Sequence, residues 1–110
     1  MAQPATVTLL ADGKPAVVRV CFLYAKPGFE SLVQDELLSL IQKSRLEAGC
    51  IHFDLYKLVE NRFYYFMHEV WESRDALETH LTSYHTTWFR TAVAGYLERP
   101  IEIYEIQEID

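Results

Sequence analysis

Phe63-Tyr64-Tyr65-Phe66-Met67-His68-Glu69-Val70-Trp71 decides how this chain folds. The run is mostly aromatic and lacks Gly and Pro, which favours a β-strand. Side chains alternate along a strand, so Phe63, Tyr65, Met67, Glu69 and Trp71 share one face, and Tyr64, Phe66, His68 and Val70 share the other. Both faces are largely apolar or aromatic, so the strand needs cover on both sides. Upstream, Glu60-Asn61 supplies a turn. It connects to a second strand over Cys50–Leu58, with Ile51, Phe53 and Leu55 expected on one face. Further back, Phe29, Leu32, Val33, Leu37, Leu40 and Ile41 recur at steps of three and four, the pattern of an amphipathic helix of about four turns. Ahead of it, Val17–Ala25 is a breaker-free β-branched and aromatic run, ended by Pro27-Gly28.

Downstream of Trp71, Ser73 is a natural N-cap for a short helix carrying Ala76, Leu77, His80 and Leu81. Ser83 starts another, carrying Trp88, Phe89, Ala92, Val93, Tyr96 and Leu97. Pro100 stops the helical pattern, and Ile101–Ile109 reads as a closing strand with isoleucines interleaved among glutamates. The order β, α, β, β, α, β predicts an α+β chain of ferredoxin-like topology, a four-stranded antiparallel sheet with both helices on one face. The uncovered face leads to the expectation of a homodimer with the two sheets face to face. Residues 16–110 are expected to form this domain. Ahead of it, Pro4 and Pro15 bracket the run Thr6–Leu10 and an Asp12-Gly13 turn, so residues 1–15 are expected as an arm or an extra edge strand.

The 110 residues, half of them hydrophobic, make one domain and exclude a two-domain enzyme. Such a domain buries roughly 65% of the surface of its unfolded chain. The core is therefore small, and a substrate pocket is expected to lean on a partner chain. Sixteen acidic residues against ten basic ones give a net charge of -6, with no basic run, which argues against nucleic acid and anionic membranes as partners. Without a long apolar stretch or a basic leader, the chain reads as cytoplasmic. Cys21 and Cys50 lie far apart with no C-x-x-C spacing and are expected as free, packed thiols.

Chemistry-bearing residues cluster in Glu47-Ala48-Gly49-Cys50, in Glu69-Val70-Trp71, and in His80 and His85. The succession E-x-G-C, E-x-W, H-x-x-x-x-H on these elements resembles the antibiotic biosynthesis monooxygenase family, small dimeric α+β barrels, from about Val18 to Glu105. The resemblance implies oxygenation of a phenolic or quinol-type aromatic by O2 with no cofactor. The absence of G-x-G-x-x-G and P-loop motifs agrees with that. In such chemistry the protein supplies a base, polar groups facing the developing oxyanion, and a dry pocket. His80 and His85 occupy the family's histidine positions and are the candidate bases, with structural, hydrogen-bonded histidines as the alternative. His52 and His68 are weaker candidates. Trp71 matches a tryptophan that characterised relatives place near substrate, while a core or interface role explains it equally. Glu69 either orients a histidine or pairs with an arginine across strands.

Phe22, Tyr24, Phe53, Tyr65 and Met67 are candidate pocket walls, and Arg90 a candidate contact for an anionic substrate oxygen. Two departures stand out. Met67 replaces an asparagine found in relatives that oxidise polycyclic phenols, and Phe53 replaces a tyrosine common after the Gly-Cys. No metal site is read, because His80 and His85 lack an evident third ligand and their spacing crosses an expected helix break. Competing readings are an isomerase or epimerase of a small carbonyl metabolite, a haem-handling protein with His85 on iron, and a non-enzymatic, stress-responsive ligand-binding dimer.

Overall fold

The computed structural model describes residues 16–109, so the expected arm or edge strand over 1–15 lies outside the described residues. Strand β1 (Val17–Tyr24) leads to helix α1 (Glu30–Ser44), then strands β2 (Cys50–Lys57) and β3 (Tyr64–Trp71). Helices α2 (Arg74–Thr82) and α3 (Tyr84–Val93) follow, with a 3-10 turn (Ala94–Tyr96) and strand β4 (Glu102–Ile106). The strands lie in the order β2-β3-β1-β4, each neighbouring pair antiparallel. This is the ferredoxin-like arrangement expected from the sequence.

The helices cover one face of the sheet. Cys21 and Leu23 from β1, Phe53 from β2, and Tyr65, Met67 and Trp71 from β3 point into a core closed by Val33, Leu37, Leu40 and Ile41 of α1, Leu77 of α2, and Phe89 and Val93 of α3. By register, Val18, Val20, Phe22 and Tyr24 stand opposite Val70, His68, Phe66 and Tyr64 and share the other face. Phe22 packs against Tyr64, Phe66 and Tyr104 there, with ring centroids 5.2–6.2 Å apart.

Three expectations about individual side chains need correction. In β2 the register slips between Cys50 and His52, so Cys50 stands opposite Trp71 on the helix side and Ile51 is left largely exposed. A bulge places two residues opposite one, which cancels the simple alternation that put Ile51 beside Phe53. Strand β4 ends at Ile106, short of the expected Ile109, because Ile106 already pairs with Val18 near the start of β1. On α3 the inward stripe is Thr86, Phe89 and Val93, while Trp88 faces outward and stacks on Tyr84.

Gly49 has a positive φ of 84°. A Cβ there would also stand 2.6 Å from the Ala76 Cβ and 3.0 Å from Glu72 Cγ. The glycine of the E-x-G-C segment thus meets two demands, a left-handed backbone and the close passage of α2.

Candidate active site

At the Trp71 end of β3 the core becomes polar. Glu69 is buried, and its partners arrive from three directions. Trp71 Nε1 donates to Oε1 at 2.9 Å, Arg19 Nη2 reaches Oε2 at 3.3 Å from β1, and the Cys21 thiol donates to Oε2 at 3.3 Å. Of the two readings for Glu69, the structure shows the pairing with Arg19 across strands; its Oε1 stands 3.9 Å from His80 Nε2, beyond hydrogen-bond distance. The same burial, with the Glu69 charge adding to it, pushes the Cys21 thiol up to about 12, so this cysteine behaves as a neutral packing group. Burial likewise raises Cys50, to about 11.

His80 is 2% exposed and held on every side. Its ring lies on the Trp71 indole at 4.5 Å between centroids and meets Phe53 edge-on at 5.5 Å. Nδ1 stands 2.7 Å from Glu47 Oε2, and Thr86 Oγ1 is 3.3 Å from Nδ1 and 3.5 Å from Nε2. Burial lowers the His80 pKa below its ordinary 6.5, and the Glu47 hydrogen bond and the nearby carboxylates recover only part of the shift. The ring is therefore neutral at pH 7, with the Nδ1 proton donated to Glu47 and a lone pair on Nε2. His85 Nε2 approaches the same Glu47 oxygen at 3.1 Å.

The joint between α2 and α3 brings the two histidines together. On an unbroken helix, residues five apart point about 140° away from each other. Ser83 interrupts the helix in an extended conformation. It accepts from Thr86 N to start α3, and it donates through its own Oγ to the His80 carbonyl at 2.7 Å. The rings consequently lie 6.0 Å apart. Glu47, from the loop between α1 and β2, joins the site although no periodicity in the sequence gives it a role there. Its signal was present as the first position of E-x-G-C, but only the fold shows that it reaches both histidines.

A cavity of about 30 Å³ adjoins His80 and is lined by Arg19, Phe53, Met67, Glu69, Thr86 and Arg90, among others. That is about one water's share of liquid volume, whereas roughly 150 Å³ is needed for benzene. Within one chain, the dry pocket expected beside the histidines is therefore only a small hollow. Arg90, Ile101 and Ile103 also line a groove of about 550 Å³ that runs along Val93, Leu97 and Pro100. This volume falls within the roughly 300–1,000 Å³ usual for ligand sites.

Of the residues expected at the site, the structure gathers Glu69, Trp71, His80, His85, Phe53 and Met67 at one end of the sheet, with Arg90 at the mouth of the hollow. Trp71 is fully buried and lines neither space, so it touches the site through His80 and Glu69. Phe22 and Tyr24 stand on the opposite face, as strand alternation requires. Tyr65 shares the inner face but lies six residues from Trp71, about 20 Å along the strand. Its hydroxyl is engaged with the Glu30 carbonyl at 3.2 Å. His52 and His68 also lie away from the helices, opposite or beside Val70 and Val20.

The family model for antibiotic biosynthesis monooxygenase matches residues 16–92. The chain belongs to this family. Among solved structures, PA3566 from Pseudomonas aeruginosa is similar at 26% identity and a TM-score of 0.80, over 86% of this chain and 95% of that one. Rv0793 from Mycobacterium tuberculosis is similar at 27% identity and a TM-score of 0.81, over 86% and 96%. A conserved protein from Methanosarcina mazei Go1 is similar at 26% identity and a TM-score of 0.80, over 84% and 92%. No curated protein matches the chain. Among the described residues of this antibiotic biosynthesis monooxygenase family member, no helix is long and apolar enough to cross a membrane.

Proposed function

We propose that this chain oxygenates a small phenolic or quinol-type aromatic with O2, the substrate itself supplying the electrons. The carrying observation is His80, a buried neutral imidazole anchored at Nδ1 by Glu47 and set beside a hollow that shares Arg90, Ile101 and Ile103 with a ligand-sized groove. The ring of the substrate lies in the groove, against Val93, Leu97, Ile101 and Ile103, and its hydroxyl enters toward His80. Nε2 takes the phenolic proton, and the imidazolium so formed is flanked by Glu47 and Glu69, which stabilise it. Arg19 and Arg90, which both line the hollow, would stabilise the anionic oxygen. The electron-rich phenolate then reduces O2, one oxygen atom entering the ring and the other leaving as water. Overall, a phenol and one O2 give a quinone and one water.

The test is oxygen uptake with a panel of naphthols, quinols and anthrones, comparing the native chain with His80→Gln. Turnover lost in the variant supports the reading; no uptake across the panel, together with no ring binding by calorimetry, refutes it. The Glu47–His80 pair also suits proton transfer alone, as in isomerisation of a carbonyl metabolite, and turnover without O2 would select that reaction instead.

A second copy of the chain is proposed to cover the aromatic outer face of the sheet. Support comes from Tyr56 and Tyr104, each about half exposed there beside Phe22 and Phe66. Light scattering at micromolar concentration should give twice the chain mass, and a monomer would refute the pairing.

A further inference from the structure

Three donor groups from three separate elements converge at the solvent edge of this site. Glu47 offers a carboxylate oxygen, and His80 and His85 each offer a ring nitrogen, all within 4.8 Å of one another. Both imidazoles face one oxygen, Glu47 Oε2, at 2.7 and 3.1 Å. Two N–H groups aimed at a single carboxylate oxygen occupy the place that a cation takes when the rings turn their lone pairs inward. Two imidazoles and one carboxylate suit zinc and its neighbours among the divalent transition ions, and suit calcium or magnesium poorly.

A second observation, behind the cluster, points the same way. His80 Nε2 stands 3.9 Å from Glu69 Oε1, and that carboxyl group is fixed by Trp71 and Arg19. At that distance the carboxylate makes no hydrogen bond, but its charge favours a proton on the far nitrogen, where Thr86 Oγ1 at 3.5 Å can accept it. This leaves the near lone pair for the metal. The ion can enter, since Glu47 and His85 remain 14% and 19% exposed, and a fourth position is left for water.

We infer that Glu47 Oε2, His80 Nδ1 and His85 Nε2 form a binding site for a divalent transition cation of the zinc class. Binding moves the His80 proton from Nδ1 to Nε2, where it faces Glu69. No proton is released if both rings start neutral; each only changes tautomer. A consequence rests on the proposed role of His80 as base: the nitrogen that would accept the substrate's proton is then already protonated, so metal occupancy and turnover exclude each other.

The experiment uses the full chain, stripped with a chelator and titrated with Co²⁺ under visible absorption, then with Zn²⁺ in competition. One ion per chain is expected, with a visible d–d band that zinc displaces. His85→Ala and Glu47→Gln, at partly exposed positions, should each weaken the affinity by more than about 10-fold. His52→Ala and His68→Ala should leave it unchanged. Thermal melts of the metal-free variants verify that each is folded. Absence of saturable Co²⁺ binding in the native chain overturns the site, as does binding that survives both His85→Ala and Glu47→Gln. Zinc that binds as expected while turnover persists keeps the metal site and removes His80 as the base.

Discussion

The two ends of β3 present the same face to the same layer of helices and treat buried polarity in opposite ways. At one end Tyr65 is buried beneath α1, and its hydroxyl escapes to the Glu30 carbonyl at the rim. At the other, Glu69 sits in the core with Arg19 as its charge partner and Trp71 and Cys21 as donors. The first arrangement is inexpensive, because the apolar ring does the packing and only one oxygen needs a partner. The second is costly. Buried ion pairs seldom stabilise more than well-packed apolar residues of the same volume, so stability alone does not explain Glu69. Under the proposed function, the buried charge at the Trp71 end faces the imidazole of His80, 3.9 Å away.

The contrast makes graded predictions. The largest concerns His80→Gln, which should lower oxygen uptake about 10²–10⁴-fold, the range for losing a positioned general base. Tyr65→Phe should leave uptake unchanged, and equal losses from the two variants would erase the distinction between the ends. Next comes stability. Glu69→Ala strands Arg19 in the core and should cost about 3–5 kcal/mol in denaturant unfolding. Tyr65→Phe, which removes one hydrogen bond near the rim, should cost only about 1 kcal/mol.

The smallest effect is the pH response. His80 in the folded chain has a pKa below 6.5 because burial disfavours the cation, whereas the unfolded chain takes up the proton at the ordinary value. Below about pH 6.5 the unfolded state thus binds more protons than the native one. Stability is complete above that pH and falls as the pH drops toward the lowered native pKa. Thermal melts of the native chain should therefore decline more steeply toward acid than those of His80→Gln. Parallel slopes would mean that His80 is not held neutral by its surroundings.

How far the site was legible follows from the same residues. His80 was placed on the inner face by its spacing from Leu77, and Glu69 and Trp71 by strand alternation, because local periodicity carries that information. Glu47 stands in the E-x-G-C segment, but a loop residue has no period to say where it points. For Phe22, Tyr24 and Tyr65 residue type alone suggests a pocket wall. The alternation and the length of the strand separate them from it.

The chain's own pattern determined the element order, the antiparallel sheet and the inward positions of the regular segments, because burial of apolar side chains obeys fixed local periods. Only the tertiary structure decided which polar groups meet. The break at Ser83 is local, made by its bonds to Thr86 N and the His80 carbonyl. But the slip at Ile51 and the passage of α2 over Gly49 are set by contacts distant in sequence, and only the fold brings Glu47, His80, His85 and Glu69 to one end of the sheet.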